Sequence, residues 1–263
     1  MFTDFFELHA MPFVESLNLD RMLRDQRMAE GLARLQCFTQ SGLIALVSGP
    51  TGVGKSSLVE MFVQDLPAHH IHPLRLSLSA VDAVAVLRQL VVLLGERPFL
   101  GKDRLFHQVL HKLQQMERTC LLIVDEAHLL SEQALVALRL LVSAPGGQAQ
   151  PLKLLLCGQE PIEQLLARSS LADLLNRIHV RYRLRPFSRD QSVCYIDHCL
   201  TKAGARPELF DLDAKRRIHD FGHGIPREIE SLATVCLIHA AGKHAKRIDE
   251  PLVQQAAAEL RIL

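Results

Sequence analysis

Apolar positions follow two rhythms along this chain, and their alternation predicts its architecture. "GLIALVSG" (42–49) is a short continuous apolar run ending in glycine, the pattern of a strand covered on both faces. "TCLLIVDE" (119–126) and "PLKLLLCG" (151–158) repeat it; "HPLRLSLS" (72–79) alternates Leu74, Leu76 and Leu78; "IHVRYRL" (178–184) supplies a fifth strand. Helical spacing fills the intervals. It runs over 20–41, with Met22, Leu23, Leu32, Leu35 and Phe38 among charges, then over 55–66, 82–94, 103–116 and 131–144, the last capped by Ser131. Strands alternating with helices predict an α/β fold with a parallel, doubly wound sheet of five strands. After Ser188 strand signals stop, and helical patterns at 189–203, 211–221, 226–242 and 249–260 predict a small helical domain. The expected division is 1–187 for the α/β core, N-terminal segment 1–41 included, and 188–263 for a helical lid, hinged at "RPFSRD" (185–190).

A chain of 263 residues has room for one generous core with a small domain attached. The formal charge of +1 excludes a global basic field, so any nucleic-acid contact has to come from a local patch. Six cysteines (Cys37, Cys120, Cys157, Cys194, Cys199, Cys236) form no CxxC pair, which suits a reducing compartment. Cys120 and Cys157 end or flank apolar runs, and Cys194 and Cys199 read as packing residues of one helix. No apolar run reaches the roughly 18 residues of a membrane span. Met1-Phe2-Thr3-Asp4 does not begin a secretory signal, so a cytoplasmic protein without membrane contact is expected.

Chemistry enters at "GPTGVGKSS" (49–57), which fits G-x-x-x-x-G-K-[ST] between a strand and a helix. Phosphates need a concave run of backbone N–H groups at a helix N-terminus, and side chains would block it. Gly49, Thr51, Gly52, Val53 and Gly54 supply the N–H groups of that run, Pro50, which has none, shapes its turn, and Ser57 closes the motif. Lys55 brings positive charge to the β- and γ-phosphates, and the Ser56 hydroxyl joins a Mg²⁺ shell. Asp125, ending the third strand, is the second expected Mg²⁺ partner, and Glu126 is placed to orient or deprotonate the attacking water. An ATPase site is the expectation.

Asp125-Glu126-Ala127-His128 spells the signature of a class of helicases, but a helicase needs two cores and this chain has one phosphate loop. His128 is therefore expected to serve as a local hydrogen-bonding or polar sensor residue. Neither an LSGGQ-type nor an NKxD-type signature is present. Gln159, after the fourth strand, stands where a γ-phosphate sensor would. Arg177, just before the fifth strand, is placed to reach a neighbouring subunit's site, and Arg227, opening a helix of the second domain, to report nucleotide to that domain. Each arginine also suits an ordinary solvated position.

These features together resemble the AAA+ ATPases of the ExeA/GspA-like group, which includes small transposition ATPases related to TnsC, IstB and the Mu B protein. The resemblance is carried by "FFELHAMPF" (5–13), "GPTGVGKSS", "LLIVDEAHLL", "LLLCGQEPI", "NRIHVRYRLRPFS", "YIDHCLTKAG" and "GIPREIESL", in the group's order over almost the whole chain. It implies a P-loop AAA+ core with a helical lid, and ATP with Mg²⁺ at Lys55, Ser56 and Asp125. It further implies Glu126 as catalytic acid, Gln159 as sensor 1, Arg177 as arginine finger and Arg227 as sensor 2. One departure is "GQEPI" where the group usually shows "GQPEL".

Secretion members of the group continue into a membrane span and a peptidoglycan-binding domain, whereas this sequence ends at "AAAELRIL". The expectation is therefore a transposition regulator: a homo-oligomeric ring or helical filament on double-stranded DNA that recruits a transposase, with a target-selection protein as a further partner. A secretion-system ATPase is the alternative. DNA backbone contact is expected at Lys102, Arg104 and Lys112, with Arg75 and Lys153 nearby, although a solvated helix explains those positions equally well. Arg181, Arg183 and Arg185 share one strand face and suit a subunit interface as well. His107 and His111 lack a visible third metal ligand, and "HHIH" (69–72) reads as an exposed loop.

Overall fold

The computed structural model describes residues 2–14, 22–76, 82–144 and 152–260. It forms two compact units: Gln26–Gly49 with Lys55–Leu184, and Met1–Asp25 with Pro50–Gly54 and Arg185–Leu263.

The first unit is the α/β core. Its strands are β1 (Ile44–Ser48), β2 (Ile71–Leu76), β3 (Thr119–Val124), β4 (Leu152–Gly158) and β5 (Ile178–Arg183), paired in the order β2-β3-β4-β1-β5. Every pairing is parallel. β1 is buried along its whole length, as is β3 after Thr119, and only Lys153 interrupts the burial of β4. Continuous apolar runs suit these central positions because helices cover both faces. The edge strands β2 and β5 carry the exposed Arg75, His179, Arg181 and Arg183.

The covering helices are α2 (Gln26–Ser41), α3 (Lys55–Gln64), α4 (Ala83–Leu93), α5 (Lys102–Gln114), α6 (Glu132–Ser143), α7 (Pro161–Leu166) and α8 (Ala172–Arg177). Leu87, Leu90, Leu105, Leu138 and Leu166 join Leu122 and Leu154 of the sheet in one apolar cluster. Asp82 caps α4 and Ser131 caps α6, each accepting a backbone N–H three residues on. Gly31 of α2 lets Leu58 and Tyr182 approach; a Cβ there would stand 2.8 Å from each. Lys153 is held inside the unit: its Nζ donates to Gly42 O at 2.5 Å and Phe38 O at 3.4 Å, the carbonyls that end α2. Burial holds its pKa below the ordinary lysine value.

The second unit contains α1 (Phe2–Phe5), α9 (Arg189–Lys202), α10 (Leu212–Gly222), α11 (Pro226–Gly242) and α12 (Glu250–Leu260). Ser188 and Gln191 form a capping box on α9, and Asp211 caps α10. Of the N-terminal segment 1–41 that the sequence assigned to the α/β core, Gln26–Ser41 lies there as α2, whereas residues 2–14 belong to this unit. Phe6 and Phe13 are buried among Ile196, Phe210 and Ile229; Phe13 meets Phe210 edge-on with centroids 6.4 Å apart, and His9 N–H donates to Ala203 O at 2.9 Å. "FFELHAMPF" is apolar but has too little structure of its own to bury itself, so it borrows the helical cluster.

Other boundaries also move. The second unit resumes at Arg185, and α2 starts at Gln26, leaving Met22 and Leu23 outside it. His72 lies within β2, so only His69 and His70 form the exposed turn, and Leu78 falls outside the described residues. Cys194 is exposed rather than packed; Cys199 is buried. Among the described residues no helix is long and apolar enough to cross a membrane.

Candidate active site

Three neighbouring strands, in the order β3-β4-β1, end side by side, and the candidate residues follow their carboxyl ends. Ligands of parallel α/β sheets bind at that edge. Gly49 follows β1 with φ 151°, and Gly52 and Gly54 have φ 70° and 104°, a conformation that favours glycine. Lys55 opens α3 and is only 6% exposed. Its Nζ donates to Gly49 O at 3.0 Å, pinning the start of the loop to the start of the helix. A positive charge held at the start of a helix draws the anionic oxygens of a phosphate.

Ser56 Oγ donates to Asp125 Oδ2 at 3.1 Å, while Asp125 Oδ1 accepts the N–H of Glu126 at 2.9 Å. A hydroxyl and a carboxylate held together are the hard oxygen donors that Mg²⁺ takes, so this pair fits the ion. Glu126 sits in the left-handed region (φ 50°) just before a 3-10 turn, Ala127–Leu129. That strain costs about 1 kcal/mol and turns the chain sharply after the acid pair.

The acid is engaged from β4. Gln159 Nε2 donates to Glu126 Oε2 at 3.1 Å, and His128 Nδ1 lies 3.5 Å from the same oxygen. The backbone N–H of Gln159 points to His128 Nδ1 at 3.4 Å. Gly158 permits this approach, since a Cβ there would stand 3.2 Å from His128 N. The structure thus brings Lys55, Ser56, Asp125, Glu126 and Gln159 to one edge, with His128 beside them in the local hydrogen-bonding position the sequence suggested. It adds Cys157, read from the sequence only as a packing residue, whose thiol is pushed up by burial first and by the Asp125 carboxylate next. Its place one residue before Gly158 was the available signal.

In the helical unit, Arg227 is the second residue of α11, after Pro226. Its N–H donates to Gly52 O at 3.3 Å, and a Cβ on Gly52 would stand 2.8 Å from Arg227 Cβ. Val53 is buried and Thr51 exposed, with Pro50 and Ser57 between these extremes. Arg177 is the last residue of α8, exposed and with no ion pair to a described residue.

The expected basic contacts divide. Lys102 and Arg104 are exposed and make no ion pair with a described residue. Lys112 instead faces Glu96 at 3.6 Å, Arg75 pairs with Glu60 at 2.5 Å, and Lys153 is occupied as described. Arg181 donates to Leu175 O at 2.8 Å, and Arg183 pairs with Glu160. His107 and His111 are exposed on α5, and no cluster of three or more metal-ligating side chains occurs among the described residues.

Lys55 at a helix start, the Ser56–Asp125 pair and the Glu126–Gln159 contact, all after the carboxyl ends of adjacent parallel strands, have the chemistry of a nucleotide-phosphate site. Comparison with known proteins bears on the fold. Residues 39–166 match the AAA domain family. The chain is 30% identical over 269 residues to General secretion pathway protein A of Aeromonas hydrophila, an alignment covering 99% of this chain and 48% of that protein. It therefore spans about half the length of that relative. The ORC1 protein of Aeropyrum pernix, solved in complex with DNA, superposes with a TM-score of 0.68 at 16% identity, covering 92% of this chain and 67% of that one. Drosophila ORC bound to DNA gives 0.69 at 20% identity, with 98% and 65% covered. The RuvB Holliday junction branch migration motor of Thermotoga maritima gives 0.63 at 17% identity, with 95% and 74% covered. These structural likenesses establish the shared fold.

Proposed function

We propose that this chain is the ATP-hydrolysing AAA+ module of a protein of the General secretion pathway protein A kind, and that it works as an assembly of copies in the cytoplasm, where ATP is supplied. The observation that carries the reading is the network of Ser56 with Asp125 and of Glu126 with Gln159 beside the buried Lys55. Backbone N–H groups of residues 51–54 and the Lys55 ammonium would hold the β- and γ-phosphates. Ser56 and Asp125 hold Mg²⁺, which supplies charge neutralisation at the phosphates. Glu126 takes the proton of the attacking water, and Gln159 leaves the carboxylate to contact the γ-phosphate. Arg177 completes the site of a neighbouring copy, stabilising transition-state charge. Arg227, joined to the loop through its backbone, passes nucleotide state to the helical unit.

A second reading, the DNA transposition regulator that recruits a transposase, draws on the free Lys102 and Arg104 and on the ORC structures solved with DNA. Where the sequence stops carries no weight between the two, because the chain covers half of its relative. The test of the first reading is nucleotide binding and ATP turnover by the chain and by Lys55→Ala, with and without a Mg²⁺ chelator. Turnover that needs Mg²⁺ and Lys55 supports it; turnover independent of both overturns it. Salt-sensitive assembly on duplex DNA, with ATP, would favour the second reading.

A further inference from the structure

Between α4 and α5 the chain displays apolar side chains in a rigid frame. Leu100 is 81% exposed and Phe99 57%, and the last turn of α4 adds the exposed Val92 and Leu93. Large apolar groups on a loop tip lose free energy in water, and a group of them signals a contact surface. The segment is pinned in place. Gln108 of α5 donates through Nε2 to Glu96 Oε2 at 3.0 Å and to Arg97 O at 2.9 Å, and its Oε1 accepts Phe99 N–H at 3.2 Å. Gly95 (φ 81°) and Gly101 (φ 94°) make the bends at either end. A tip fixed this way has little ordering entropy left to lose on contact.

Charge around the tip indicates the partner. Arg97, Lys102 and Arg104 are exposed and make no ion pair with a described residue, against one carboxylate in the same position, Asp103. Glu96 is already engaged by Gln108 and Lys112. The surplus is positive, so the partner is anionic. Cations alone suit a phosphate backbone and a lipid headgroup equally. The residues between them decide: Pro98, Phe99, Leu100 and Gly101 offer no side-chain donor or acceptor to read a base edge, only bulk that partitions into a bilayer interface beneath bound headgroups.

We infer that the Phe99–Leu100 tip, flanked by Arg97, Lys102 and Arg104, is a peripheral docking site for an anionic lipid surface. It does not rest on the nucleotide site, and its test does not need one. The sequence contains no Trp, so Phe99→Trp makes a single fluorescent reporter at an exposed position. The full chain carrying it is titrated with vesicles of phosphatidylcholine, with phosphatidylcholine–phosphatidylglycerol vesicles, and with duplex DNA. The expected result is a blue shift on the phosphatidylglycerol vesicles alone. Leu100→Ser weakens partitioning about tenfold, and Lys102→Glu with Arg104→Glu abolishes it, while circular dichroism stays unchanged. No shift on either vesicle overturns the assignment. So does a shift on DNA without one on vesicles, which makes the tip a nucleic-acid contact, or a shift that follows protein concentration alone, which makes it an interface between copies.

Discussion

Among single residues, His128 has the most to reveal. Its Nδ1 accepts the backbone N–H of Gln159 at 3.4 Å, which holds the sensor's backbone beside the turn that follows Glu126. His128→Ala is expected to lower kcat about tenfold, with nucleotide affinity little changed, because the side chain's neighbours are Gln159 and Glu126. Steady-state turnover paired with a nucleotide titration separates the two effects; an unchanged kcat would remove His128 from the site. Lys55, Ser56, Asp125 and Glu126 were legible in the sequence because each motif is local and its spacing carries its chemistry. His128 was legible as a local hydrogen-bonding residue, but its partner Gln159 and the nearness of Cys157 to Asp125 were not. Both arise from β3 lying beside β4, an adjacency that no local pattern states.

At the scale of elements, the packing of α2 is tightly set. Gly31→Ala would gain helix propensity but put a Cβ 2.8 Å from Leu58 Cδ2 and Tyr182 Cε1, both on buried side chains. The clash outweighs the gain, and a net loss of about 1–2 kcal/mol is expected, read as a lower midpoint in chemical denaturation. An unchanged or higher midpoint would show that α2 can shift. In the helical unit, Phe13→Ala removes a buried ring packed against Phe210 and should cost about 3 kcal/mol. If that loss were absent, the N-terminal segment would not belong to this cluster. Strands β1, β3 and β4 were legible as unbroken apolar runs, α4 by its period, and α6 by its period and its Ser131 cap. Helices α7 and α8, six residues each, are too short for a period to register. The place of residues 2–14 escaped because "FFELHAMPF" advertises burial without saying against what.

For the whole molecule, the question is whether one copy suffices. Arg177, exposed at the end of α8, has no described acid to answer its charge. If it serves a neighbour, Arg177→Ala lowers turnover by about 10³-fold while leaving nucleotide binding intact. Mixing that variant with Lys55→Ala then restores measurable turnover, since intact sites form between unlike copies. Failure of the mixture to recover activity would confine Arg177 to its own chain. The formal charge of +1 fits a molecule whose partners are chosen by local patches. The central claim, hydrolysis directed by Glu126, is tested most directly by one comparison: ATP turnover and nucleotide affinity of Glu126→Gln against the unaltered chain. The account predicts turnover reduced by about 10²–10³-fold with nucleotide still bound; hydrolysis by Glu126→Gln at the unaltered rate would contradict it.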